Sequence, residues 1–171
     1  MAKTANSGEP MIVRSLPMKT DAVIDAFVQR KIVEGCEFTR LAAHAPWIAA
    51  FEAKLPARLP PSFRSLILRF RFGPFRASGI EFFGNRGGGE RDDLVIASLS
   101  DAALARVTRA HRFIQVGRPE TRAYDPVCFD MSRRSKEGEA PLVCLDHEEI
   151  LIHERIRVLR ECARSFAAAL G

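Results

Sequence analysis

Two segments of the chain echo each other: Val127-Cys128-Phe129-Asp130 and Val143-Cys144-Leu145-Asp146. Both are short and apolar, and both close on an aspartate. The insert between them, Met131 to Pro141, is polar and charged and contains Gly138. Two apolar runs joined by such a loop predict an antiparallel hairpin. The echo occurs once, so it marks a hairpin and not a repeat architecture.

Helical periodicity surrounds the hairpin. Thr20 and Asp21 supply a cap, and Val23, Ile24, Phe27, Val28 and Ile32 then draw one apolar stripe on a helix that Gly35 ends. Phe38, Leu41 and Ala42 fit a short helical turn. Pro46 suits the first turn of the next helix, which carries Trp47, Ile48, Phe51 and Leu55 on one face and stops at Pro56. Pro60 and Pro61 open another, where Phe63, Leu66, Ile67 and Phe70 recur at three- and four-residue steps. At the far end Ile152, Ile156, Leu159, Ala163, Phe166 and Leu170 keep helical spacing and predict a C-terminal helix packed on the sheet.

The pattern changes at Gly73–Pro74, a turn signal. Residues 77–84, with Ile80, Phe82 and Phe83, read as one strand. Leu94 to Ala97 reads as a short strand, and Ser100 as the cap of a helix through Leu104, Val107 and Ala110. Phe113, Ile114 and Val116 read as a strand closed by Gly117 and Pro119. Helices first, strands next, helix last: this order predicts an α+β fold with N-terminal helices, a central, mainly antiparallel sheet and a C-terminal helix on it. Strict strand–helix alternation, the mark of a doubly wound sheet, is missing.

The chain has 171 residues, the length of one domain. It can bury roughly 70% of its unfolded surface and needs no disulfide or metal staple. Cys36, Cys128, Cys144 and Cys162 show no CxxC spacing and read as small buried hydrophobes, with a Cys128–Cys144 bridge as the alternative. No apolar stretch approaches the roughly 20 residues that cross a bilayer. Residues 1–18 read as a loose leader without a signal-peptide core, so a cytoplasmic location is expected.

The net charge of +5 is thinly spread. Its one concentration is Lys54, Arg58, Arg64, Arg69, Arg71 and Arg76, with no acid between them. Such a run marks an anionic partner or a solvated helix face. A nucleic-acid platform would also want exposed aromatics. Phe63 and Phe70 belong to the core stripe, which leaves Phe72 and Phe75 around the Gly73–Pro74 turn. An apolar tip flanked by Arg71 and Arg76 suits a protein partner equally well.

Catalytic constellations fail on inspection. Gly87, Gly88 and Gly89 could cradle phosphate, but Arg91, Asp92 and Asp93 follow where a P-loop needs Gly-Lys-Ser/Thr, so a flexible loop is expected. His147 stands among Asp146, Glu148 and Glu149 and could act as a general base. A zincin pair would need a second His where Leu151 stands, and His153 suits no shared face. A solvated turn or helix start, with acids at the N-terminal dipole, is the better reading. Ala77-Ser78-Gly79 breaks the nucleophile-elbow pattern. Arg160 and Arg164 could lower the Cys162 pKa if that thiol were exposed, but burial against the sheet is expected.

Two stretches carry a resemblance. Leu59-Pro60-Pro61-Ser62-Phe63-Arg64-Ser65-Leu66-Ile67-Leu68-Arg69-Phe70, after the Trp47–Leu55 helix, resembles the helix–Leu-Pro–aromatic–Leu signature of the SUKH superfamily. That superfamily includes yeast cell-wall-synthesis/killer-toxin-resistance proteins and bacterial toxin-immunity proteins. Pro141 to Glu149, continuing to Arg164-Ser165-Phe166-Ala167-Ala168-Ala169-Leu170, is similar to its late strand, acidic turn and closing helix. Asp125 to Asp130 is similar to its penultimate strand. The chain departs from the pattern at Arg71-Phe72-Gly73-Pro74, where the family usually has Asn-Gly-Gly. Coverage is roughly residues 45–171, which leaves 1–44 as a leader with one extra helix.

The resemblance implies a protein-binding domain without catalytic residues, metal or cofactor. It implies an antidote that occludes a toxin, and the basic balance favours a target with an acidic patch. Arg71, Phe72, Phe75 and Arg76, or Asp146, His147, Glu148 and Glu149, are the expected partner-binding residues. The alternatives are a housekeeping scaffold or regulator of the same fold, and a nucleic-acid binder through residues 54–80.

Overall fold

The computed structural model describes residues 17–42, 47–87, 93–100, 102–121 and 124–171. The first sixteen residues of the expected leader, His44, Pro46, Gly88, Gly89, Arg91 and Asp92 lie outside the described residues.

The fold is α+β. Its main sheet has six strands in the order β3-β4-β5-β6-β7-β8, each antiparallel to its neighbour. These are β3 (Phe75–Ala77), β4 (Ile80–Phe82), β5 (Phe113–Pro119), β6 (Val127–Asp130), β7 (Leu142–Leu145) and β8 (Val158–Ala163). A two-stranded ribbon pairs β1 (Phe38–Arg40) with β2 (Phe70–Phe72). The helices are α1 (Pro17–Val33), α2 (Trp47–Glu52), α3 (Pro61–Arg69), α4 (Leu94–Leu99), α5 (Ala102–Ala110), α6 (His147–His153) and α7 (Phe166–Ala169).

The echoing segments form the predicted hairpin, with Cys128 opposite Val143 and Phe129 opposite Leu142. Their unbroken apolar character follows from position. Successive residues of a strand point to opposite faces, and helices cover both faces here. Val127, Phe129, Leu142 and Cys144 enter a large core with α1, α3 and α7, while Cys128, Val143 and Leu145 enter a smaller one with Val107 of α5 and Ile150 of α6. All four cysteines are free thiols.

Helix α1 buries Ile24, Phe27 and Val28 in the large core, together with Phe63 and Leu66 of α3. Val23 and Ile32, expected on its apolar stripe, are 45% and 43% exposed. Among the described residues the helix already includes Pro17, ahead of the expected Thr20–Asp21 cap, and it stops at Val33 before Gly35, whose φ of +87° is the left-handed conformation a glycine allows. Pro60 and Pro61 open α3 as expected, but Phe70 leaves the helix as extended backbone and begins β2.

Four other expectations change. Residues 38–40 are a strand, because β2 offers Phe38 a partner at Phe72. The strand expected over 77–84 is two, β3 and β4, folded at Ser78 and Gly79 with φ of +49° and +72°. Those paired positive φ values match the two-residue turn that follows strand twist. Residues 94–99 are helical, not extended, because the Asp93 carboxylate accepts the Val95 and Ile96 N–H groups as an N-cap. Ser100 therefore ends α4 and does not start α5.

The C-terminal helix is present but short. Residues 158–163 pair with β7, so the helical spacing from Ile152 to Leu170 covers a helix, a strand and a second helix. Ser165 caps α7 through the Ala168 N–H, and Phe166 is fully buried against Phe63 and Phe82. No helix among the described residues is long and apolar enough to cross a membrane.

Candidate binding surface

Phe72 and Phe75 do not form an exposed tip. Both are buried, at 0% and 2% exposure. Phe72 stacks on Phe38 with ring centroids 5.3 Å apart, and Phe75 stacks on Phe82 at 5.1 Å and meets Phe27 at 5.4 Å. Between Phe72 and Phe75, Gly73 and Pro74 join β2 to β3, but Phe38 of β1 and Phe27 of α1 fold over these rings from earlier in the chain. Arg76 is likewise engaged. It lies opposite Glu81 across β3 and β4, and its guanidinium meets Glu81 at 3.3 Å and Glu120 at 3.5 Å.

Glu81 lies at the centre of this charge ladder, with Arg118 on β5 at 2.5 Å. Burial works against its charge, but the hydrogen bonds and fields of Arg118 and Arg76 outweigh it and hold the carboxyl below its ordinary range. Arg58, Arg64 and Arg69 of the basic run are also answered by acids from elsewhere. Arg64 donates to Glu52, and Arg69 meets Asp21 and Asp25. Arg69 in turn holds the Asp25 carboxyl low.

Of Arg71, Phe72, Phe75 and Arg76, it is Arg71 that remains open to a partner. It is exposed on β2, whose neighbours Phe70 and Phe72 point inward. With Trp47, Phe51 and Lys54 of the α2 region and Val95, Ile96 and Leu99 of α4 it lines a cleft of about 410 Å³. Asn85 lies under the cleft and fixes β2 there: its side chain accepts the Phe72 N–H at 2.8 Å and donates to the Phe70 carbonyl at 2.9 Å. Arg86 at the rim is ion-paired with Glu37. The sequence reading missed this cleft, because α2 and α4 meet only through the fold. Half-buried Trp47, the single tryptophan of the chain, was the available signal.

The Asp146 turn is a helix start, as expected. The Asp146 carboxylate accepts the Glu148 and Glu149 N–H groups and faces Arg157 at 3.6 Å. Glu148 and Glu149 occupy the first turn of α6. Sequence reasoning missed Asp125, whose carboxylate lies 2.7 Å from His147 Nδ1 and also accepts the His147 backbone N–H. Tyr124 leans on the His147 ring at 5.9 Å. Ligand atoms of Asp125, Asp146 and His147 lie within 4.8 Å of one another, the set best able to hold a metal ion among the described residues. Asp125 and Asp146 each already accept backbone donors, which makes the group first an organiser of α6.

Cys128, Cys144 and Cys162 sit on the sheet, on β6, β7 and β8. Burial pushes Cys144 up to about 11, with Cys162 and Asp125 adding to the shift. Burial also raises Cys162, against the opposing field of Arg160, and raises Cys128. Protonated thiols are poor nucleophiles and poor metal ligands.

No protein-family model matches the chain, and no curated protein matches it.

Proposed function

We propose that the chain is a non-enzymatic, SUKH-like protein-binding domain that acts as an immunity protein, occluding a toxin through the cleft beside Arg71. The observation that carries this reading is the cleft itself, where exposed cations border a partly apolar surface. Trp and Arg beside a pocket are the usual anchors of a protein interface. The contact between Phe63 and Phe166, at 5.0 Å, adds support, since it joins the two stretches on which the resemblance rests. The thiols of Cys128, Cys144 and Cys162, whose pKa values burial pushes up, are poor nucleophiles, which favours binding over thiol catalysis. The nucleic-acid reading loses ground because Arg64, Arg69 and Arg76 are neutralised by acids.

Co-expression with the product of the neighbouring reading frame tests the proposal. Rescue from a toxic neighbour, with a stable complex on purification, is the expected result. A toxic neighbour that is neither rescued nor bound overturns it.

A further inference from the structure

We infer that the cleft between α2 and α4 receives an acidic peptide segment of the partner, whose large apolar side chain enters between Trp47 and Ile96 while flanking carboxylates meet Lys54 and Arg71. This rests on the protein-binding reading above and names what that surface would take.

The polar atoms of the floor are already satisfied. Asp93 accepts the Val95 and Ile96 N–H groups with one oxygen and the Gly87 N–H with the other. Asn85 bonds the backbone of Phe70 and Phe72. Neither asks for a ligand. What remains is apolar wall and positive rim. Lys54 and Arg71 are exposed, and neither has an acidic partner among the described residues. Arg64, Arg69, Arg76 and Arg86 all have one.

Size and shape select the occupant. About 410 Å³ holds a few side chains, and the cleft is open to solvent. An enclosed site would bury most of a small ligand, whereas an open groove suits a segment that continues beyond it. A basic or neutral segment would leave two cations unanswered. An acidic segment without an apolar side chain would leave the wall wet.

The test uses a displayed library of random 12-residue peptides selected on the intact chain. Trp47 is the single tryptophan, so its emission reports the cleft directly. The expected consensus carries Asp or Glu around a large apolar residue. A synthetic consensus peptide should shift Trp47 emission and bind at least tenfold more weakly to Lys54→Glu and to Arg71→Glu. Raising salt should weaken binding to the wild type. If a charge reversal disturbs folding, Lys54→Gln and Arg71→Gln should still weaken binding severalfold. No enrichment, a basic or uncharged consensus, or affinity indifferent to these substitutions overturns the inference. A toxin complex that survives Arg71→Glu discards the cleft as the contact and leaves an immunity role exerted through another surface. A consensus peptide without any toxin rescue does the reverse.

Discussion

The Glu139 carboxylate receives both donors of Ser62, the backbone N–H at 2.8 Å and the hydroxyl at 2.6 Å, across 77 residues of chain. Ser62 lies in the first turn of α3, where Pro60 makes no side-chain cap. The first N–H groups of a helix have no partner within it. Glu139, from the insert between β6 and β7, fills that role and ties the hairpin loop to α3.

Glu139→Ala should therefore destabilise the fold by about 1–3 kcal/mol, since Ser62 is fully buried and loses both acceptors. Urea denaturation measures it. Ser62→Ala removes only the hydroxyl and should cost less. Equal costs would show that the cap bond contributes nothing.

Glu81 sets the sign of a pH effect. Its folded pKa is lowered, so its contribution is fully present above the ordinary value of 4.5 and is lost as pH falls through the folded value. Asp25, held low chiefly by its hydrogen bond to Arg69, behaves alike around 3.8. Stability should fall on acidification below about pH 4.5. Glu81→Gln should lower stability at pH 7 and flatten the acid limb, read by thermal melts from pH 3 to 7 (roughly the window in which carboxylates titrate).

Gly117→Ala should destabilise by at least about 1–3 kcal/mol, the cost of overpacking. A Cβ there would meet the Glu81 carbonyl oxygen at 2.5 Å and the Ile80 side chain at 3.2 Å. The first is backbone held in the β4–β5 ladder and cannot step aside. A melting temperature unchanged from wild type would contradict the strand register.

Among the described residues the sheet ends at β8, which pairs there only with β7. Its Val158 and Leu159 are 46% and 45% exposed. Free edges invite pairing with other chains, and charges and bulges blunt them. Here Arg160 and Glu161 are exposed on the edge, and the register shifts twice along it. Replacing both with Val should leave the monomer folded but produce concentration-dependent association in light scattering. Wild-type behaviour at high concentration would show that the bulges alone protect the edge.

Local signals sufficed for part of this architecture. Pro60–Pro61 with a three- and four-residue apolar stripe defined α3, and the paired Val-Cys segments defined the β6–β7 hairpin. The acidic residues at 146–149 marked a helix start. Each signal lies within one element, where spacing and caps act directly on the backbone.

Elsewhere the tertiary structure decided. Residues 158–163 have helical spacing, yet β7 supplies hydrogen-bond partners that a local pattern cannot see. Phe72 and Phe75 flank a turn, and nothing nearby reveals that Phe27 and Phe38 will cover them. The charge run at 54–80 has no acid within it, and its partners Asp21, Asp25, Glu52 and Glu120 arrive from outside. That distant neutralisation leaves Lys54 and Arg71 as the cations beside the cleft. Sequence fixes local hydrogen-bonding and burial preferences, but which residues meet across the chain depends on packing that closes only when the whole core forms.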